Sequence, residues 1–286
     1  MTRRRFLTLS ACALAASPAH AATWQGRALG ADVAVTLTGD RAAVDMALNA
    51  IPTRLTAIEA QFSLYRDSAL TRLNTTGTLT PSKDFTTLMA QARHAHALTD
   101  GLFDPTVQPL WHALAMGRDP EPARALIGLD RVTLTPTIQL APGQQLTLNG
   151  IAQGFATDLI RHDLAAQGFT RALIDMGEQA ALGGPFTLGL EDQTQGPLGQ
   201  LTLTNAARAT SSPTALRLGQ HSHILGPHGE GPIWSTISIE APSATLADAL
   251  STAAVFMTTD RLRRLKSDAK LSRITAISPD GDLITL

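Results

Sequence analysis

The sequence predicts an α+β fold, with mixed sheets packed against helices in a single domain. Three observations carry that expectation. Strand-like and helix-like periodicities recur in clusters along the chain, no Pro/Gly/Ser-rich linker or internal repeat divides them, and 44% apolar residues over 286 positions suffice for one sizeable core.

The first element is not expected to belong to the mature fold. Arg3, Arg4 and Arg5 precede a short apolar stretch at 7–16, Ala19-His20-Ala21 follows as a small-x-small cleavage site, and no Asp, Glu, Lys or Arg falls between Arg5 and Arg27. Residues 1–21 therefore read as a twin-arginine-type export signal, too short to span a bilayer, leaving a soluble periplasmic chain of residues 22–286. Leu9-Ser10-Ala11-Cys12 also has the form of a lipoprotein box around the only cysteine, so a lipid anchor at Cys12 is the alternative. Removing the signal takes away three arginines and no acid, moving the formal charge from −1 to −4. A nucleic-acid role has no basic surface to support it.

In the body of the chain, residues 33–37 alternate as a strand, and Asp40 caps a helix to about Gln61 in which Ala43, Met46, Ala47, Ala50, Leu55 and Ile58 recur at helical spacing. A second helix is expected over 82–98, and Asp104 or Thr106 starts a third. Pro-rich turns at 119–122 and 136–142 lead to an apolar run, a Gly150-x-x-x-Gly154 step and a helix over 151–167. Strands are expected at 172–175, 188–191, 201–204, 215–218 and 233–239, a helix at 244–257, and closing strands at 274–277 and 283–286.

Candidate chemistry lies in a few polar residues. Asp248, Ser251 and Thr252 stand at i, i+3 and i+4 on one face of an Ala/Leu-rich helix, an oxygen set that suits a hard cation such as Mg²⁺ or, equally, a cap with two back-bonded hydroxyls. His94 and His96 point apart on a helix. His221 and His223 share a face if they lie on a strand, but further zinc ligands at suitable spacing are missing, which leaves His223, beside the Gly226-Pro227 turn, as a candidate general base. There is no nucleophile elbow and no Gly-x-Gly-x-x-Gly after a strand, and the glycines at 177–184 read as turn punctuation or as room for a ligand.

Taken in order, the motifs resemble one family, the FAD:protein FMN transferases or ApbE family. FSLYRDSALTRLN (62–74) is similar to its S-x-Y-x-x-x-S-x-(I/L)-x-x-(L/F)-N segment, TDGLFDPTV (99–107) to T-x-G-x-F-D-P-T-V, and LNGIAQGFATD (148–158) to L-x-G-I-A-K-G-Y-A-x-D. ALIDMG (172–177) is similar to A-L-V-x-x-G-G, HILGPHGEG (223–231) to H-I-x-D-P-x-T-G, and LADALST (246–252) to x-A-D-A-L-S-T. LNGIAQG and IDMGE further resemble the NosX-like branch.

The resemblance implies an ApbE-type, T-fold-like domain and a Mg²⁺-dependent enzyme that moves FMN from FAD to a threonine or serine hydroxyl of an acceptor flavoprotein, releasing AMP. That acceptor could be a membrane-bound electron-transfer subunit. Carried over by position, Asp248, Thr252, Ser251 and the Gly150 carbonyl hold the metal, His223 is catalytic, and FAD meets Leu29, Tyr65, Leu102, Phe103, Asp104, Thr147 and Gln153. The chain departs from the pattern at Thr147 and Gln153, where many relatives carry charge. It departs again at Gly226, where the family's usual residue is Asp, and at Gly229-Glu230-Gly231, which replaces a Thr-Gly step. These departures leave open an FAD-binding accessory protein or a Mg²⁺-dependent FAD pyrophosphatase.

Overall fold

The computed structural model describes residues 20–192 and 195–286. The arginine run and Cys12 lie outside them. The chain opens with the hairpin β1 (His20–Ala28) and β2 (Ala31–Gly39), then α1 (Arg41–Phe62), α2 (Ala69–Thr76), β3 (Thr78–Leu79), α3 (Lys83–Leu98), α4 (Gln108–Ala115) and α5 (Glu121–Arg124). It continues through β4 (Ile138–Gln139), α6 (Ala152–Ala166), β5 (Ala172–Asp175), β6 (Gln179–Leu182), β7 (Phe186–Asp192), β8 (Gly196–Leu203) and β9 (Ala207–Ser211). Short strands β10 (Arg217–Leu218) and β11 (His221–Ser222) precede β12 (Thr236–Ala241), α7 (Ala244–Ala254), α8 (Thr259–Asp268), β13 (Arg273–Ile277) and β14 (Leu283–Thr285).

Eight strands form one antiparallel sheet in the order β1-β2-β5-β6-β9-β12-β13-β14. Helices α1, α6 and α7 pack against it. Between them Phe62 meets Phe85 at 5.5 Å and Phe155 edge-on at 5.6 Å, which ties α1, α3 and α6 into one core. Leu188, Leu201 and Leu203 of the separate β7–β8 hairpin join Leu173 and Ala181 of the sheet in a second apolar cluster. Arg208 of β9 is buried beneath that hairpin and donates to the Gly189 carbonyl at 2.9 Å. Burial pushes its guanidinium below the ordinary arginine range, against the opposing pull of Glu178, Glu240 and Asp175. No helix among the described residues is long and apolar enough to cross a membrane.

The caps expected at Asp40 and Asp104 are present, and Ser82 caps the helix expected over 82–98. Asp40 accepts from the Ala43 N–H at 3.1 Å, Ser82 from Phe85 at 3.1 Å, and Asp104 from Thr106 at 2.8 Å. The buried face of α1 differs from the expected one. It runs Val44, Ala47, Leu48, Ile51, Leu55, Ile58 and Phe62, and leaves Met46 69% exposed, because the larger branched side chains outweigh small residues recurring on the other side. Residues 213–215 form a 3₁₀ turn opened by Pro213, which shortens the strand expected at 215–218. The main-chain N–H groups of Ile233 and Trp234 donate to the Val255 carbonyl at 2.8 and 3.4 Å instead of to a neighbouring strand, so the strand expected from 233 begins only at Thr236. The glycine-rich stretch at 177–184 encloses β6, whose Ala-rich sequence shows little strand preference by itself. β1 starts at His20, so its first two residues belong to the segment expected to be removed.

The helices α6 and α7 cap one another. α6 has no side-chain cap of its own at Ile151, and Asp248 of α7 accepts from the Gly154 N–H through Oδ2 at 2.9 Å. Asp158 of α6 in turn accepts from the main-chain N–H of Ala244 at 3.1 Å and Thr245 at 2.9 Å, and from the hydroxyls of Ser243 and Thr245, both at 2.7 Å. Each helix thus takes up part of the other's first-turn donors through a carboxylate at the positive dipole end, while Ser243 caps α7 locally by accepting from the Leu246 N–H at 3.2 Å. Gly154 allows the approach, since a Cβ there would sit 2.3 Å from the Ala244 carbonyl oxygen and 2.8 Å from the Asp248 Cβ.

Gly154→Ala is accordingly expected to lower stability by about 2–4 kcal/mol, because backbone rather than a flexible side chain must move. Gly189→Ala, where a Cβ meets nothing within 4 Å, is expected to change it by under ~0.5 kcal/mol. Urea unfolding of both variants at fixed pH checks the contrast.

Candidate functional site

The start of α6 is where sequence-distant candidates meet. A Cβ on Gly150 would lie 2.8 Å from the Thr252 Oγ1, so the glycine permits contact between the turn before α6 and the polar face of α7. On that face Asp248 is only 4% exposed and Ser251 is fully buried, its hydroxyl 2.8 Å from that of Ser211 on β9 and donating to the Asp248 carbonyl at 3.0 Å. Asp248, Ser251, Thr252 and Gly150 are thus brought together, and the capping and back-bonding readings of Asp248 and Ser251 hold alongside any metal role. Asp248 with the Thr252 hydroxyl and a main-chain carbonyl is a hard-oxygen set that fits Mg²⁺, which keeps water and substrate phosphate in its shell. Among the described residues no cluster of three or more His, Cys, Asp or Glu could hold a metal ion, so the fit rests on one carboxylate with neutral oxygens.

Gln153 connects this centre to the first hairpin. Its Nε2 donates to the Leu29 carbonyl at 3.3 Å, and its side chain lies where a Cβ on Gly177 would fall, 2.7 Å away. Gly177 adopts φ +98°, which also favours glycine. Leu29 sits in the left-handed region at φ +51°, with its N–H bound at 3.0 Å to Glu59, whose other oxygen accepts from Arg66 at 3.2 Å. Glu59 therefore joins Leu29 to the loop that presents Tyr65, a side chain 76% exposed and available for stacking.

Thr147 donates its N–H to the Pro105 carbonyl at 2.8 Å, placing the segment before α6 against residues 102–105. There the Leu102 and Phe103 side chains are buried in the core, so a ligand would meet the main chain of this segment. Both Asp104 oxygens are bound, Oδ1 by the Thr106 N–H and hydroxyl at 2.8 and 2.6 Å, and Oδ2 by the Leu129 N–H at 3.1 Å. Gly101 and Asp104 line an open cleft of about 470 Å³ together with His96, Asp100, Gly128 and His228.

His223 lies just beyond the two-residue β11, so it does not share a strand face with His221 as expected. Its Nδ1 is 3.0 Å from the Leu216 carbonyl oxygen. A carbonyl only accepts, so Nδ1 carries a proton and donates it to this contact. His94 and His96 stand two residues apart on α3, and His96 is held by the Phe103 carbonyl at 2.9 Å.

Sequence reasoning assigned no role to Asp158, Thr157, Glu59 or Ser211. Asp158 was available as a signal: it closes the quoted LNGIAQGFATD motif and lies four residues after Gly154, on the same helical face. Thr157 donates to the Gln153 carbonyl at 2.8 Å and to the Glu178 carbonyl at 3.0 Å, fixing α6 to the turn before β6.

The sequence profile of the ApbE family matches residues 29–277. The chain is 24% identical over 267 residues to an FAD:protein FMN transferase of Haemophilus influenzae, spanning 80% of this chain and 77% of the relative. It is 26% identical over 237 residues to one of Klebsiella pneumoniae, spanning 68% and 75%. In fold it is similar to the flavin transferase ApbE of Vibrio cholerae, at TM-score 0.82 and 22% identity over 94% of this chain and 97% of that one. The Pseudomonas stutzeri flavinyl transferase ApbE in its apo form gives TM-score 0.81 and 24% identity over 94% of both chains. The profile match spans the α6–α7 crossing, the Leu29 turn and the His223 loop alike, and the chain belongs to the ApbE family.

Proposed function

We propose that this protein is an FAD:protein FMN transferase that joins the FMN half of FAD to a threonine or serine hydroxyl of an acceptor flavoprotein and releases AMP, with Mg²⁺ at the Asp248 face. The observation that carries the reading is the convergence of Asp248, Ser251 and Thr252 with Gly150 and Gln153 at the start of α6. Asp248, the Thr252 hydroxyl and the Gly150 carbonyl would hold the ion, with Ser251 adjacent, and when bound it supplies charge neutralisation at the diphosphate. The chain's own residues do the remaining work. The main chain of Leu29, Thr147 and residues 102–104 borders the space for the dinucleotide, with Gln153 holding the Leu29 carbonyl in place and Tyr65 offering an aromatic face.

In the transfer, the acceptor hydroxyl oxygen forms a bond to the FMN-side phosphorus as its bond to the bridging oxygen breaks. AMP leaves with that oxygen, and the hydroxyl proton passes to Nε2 of His223. The leader sequence supports a periplasmic setting, with residues 1–21 removed, and an acceptor domain that can belong to a membrane-bound electron-transfer subunit.

The mature protein, FAD, Mg²⁺ and an acceptor domain decide the matter together. Covalent in-gel flavin fluorescence with AMP release is the expected result, AMP with free FMN would instead mark a pyrophosphatase, and neither product would mark a binding protein. Asp248→Asn keeps an acceptor for the Gly154 N–H but loses the charge. It is expected to unfold within a few degrees of the parent and to lose about 100-fold or more in transfer rate. Full Mg²⁺-dependent activity in that variant would show the ligand set to be wrong. For His223→Ala the expectation is a loss of about 10²- to 10⁴-fold in the rate at saturating FAD, with FAD affinity by fluorescence titration nearly unchanged.

A further inference from the structure

The loop from His223 to Gly231 has no carboxylate at position 226, where the motif it resembles carries one, and the structure brings the carboxylate of another residue, Glu230, against that position. Gly226 is buried, and a Cβ built on it would lie 2.6 Å from the Glu230 Oε2. In an aspartate the carboxylate oxygens stand about 2.4 Å from their own Cβ, from standard carbon–carbon and carbon–oxygen bond lengths. Glu230 Oε2 thus sits at nearly the distance from Cβ at which a carboxylate oxygen would sit if position 226 carried an aspartate. The same Cβ would come within 2.6 Å of the Glu230 main-chain oxygen, so the two arrangements exclude each other.

The local sequence builds this return. Gly229, at φ +97°, donates its N–H to the Gly226 carbonyl at 3.2 Å and turns the chain back on itself. Glu230 then accepts from the His228 N–H through Oε2 at 2.9 Å. Arg124 reaches the Pro227 carbonyl at 3.4 Å, and His228 lines the cleft beside Gly101 and Asp104, so the turn is set against the segment that borders the proposed dinucleotide space.

We propose that Glu230 supplies the carboxylate of the His223 loop in place of an aspartate at position 226, and that flavin transfer depends on its charge. The proposal rests on the transferase reading above. It makes Glu230 a positioning residue for the loop that bears His223, and it makes the Gly226 and Gly229-Glu230-Gly231 departures a single linked exchange rather than the loss of a group.

A glutamine at position 230 retains an oxygen to accept from the His228 N–H, and so separates charge from loop geometry. Glu230→Gln and Glu230→Ala are both expected to lose at least 10-fold in the transfer rate at saturating FAD, with the FAD concentration for half-maximal rate and the melting temperature little changed. Gly226→Asp is expected to melt earlier than the parent, and Glu230→Gly beside it to restore stability only in part, because the added Cβ meets the main-chain oxygen of residue 230 as well as the Glu230 side chain. An active parent with Glu230→Gln at parental rate would overturn the relocated carboxylate and leave the transferase reading intact. A parent that releases no AMP and modifies no acceptor would overturn that reading, and with it any catalytic use of Glu230.

Discussion

Two aspartates exchanged between α6 and α7 set the geometry on which the site depends. Each helix begins with N–H groups that have no partner within it, and burying two such ends side by side is tolerable only if acceptors come from elsewhere. Asp158 and Asp248 provide them across the crossing, and Gly154 lets the helices approach until those hydrogen bonds close. Asp248 is therefore held by the fold itself, and in the ion-holding role proposed for it the carboxylate would not need to be reorganised on binding.

The same crossing organises what surrounds it. The turn before α6 is pressed against Thr252 at Gly150, against the first hairpin through Gln153 and Leu29, and against the 102–105 segment through Thr147. The antiparallel sheet then brings Ser211 of β9 under Ser251. The neutral Gln153, which looked in the sequence like charge removed from the site, has a definite task as a donor to the Leu29 carbonyl. The departure from the family pattern at Gln153 thus leaves a neutral donor with a partner of its own, and the one at Gly226 makes room for Glu230.

Much of the scaffold was legible in the chain itself. Asp40, Ser82 and Asp104 announced their helices, and the polar face of Asp248, Ser251 and Thr252 showed through the apolar residues around it. The short strands β6 and β9 were not legible, since Ala-rich segments of four and five residues owe their strand form to their neighbours in the sheet. The buried side of α1 was misjudged for a related reason: Ala and Met recur at helical spacing on both sides, and only packing against the sheet selects one.

By itself, then, the sequence determined the helix starts, the alternation of elements, the order of the motifs and the residue types capable of holding an ion or moving a proton. The tertiary structure decided which of those residues share a site, that Asp158 and Asp248 each cap the other's helix, and that Glu230 packs against position 226. The division has a physical origin. A cap or a periodicity is completed within a turn or two of chain, whereas Gly154 meets Asp248 across a separation of 94 residues, set by how two helices cross over one sheet.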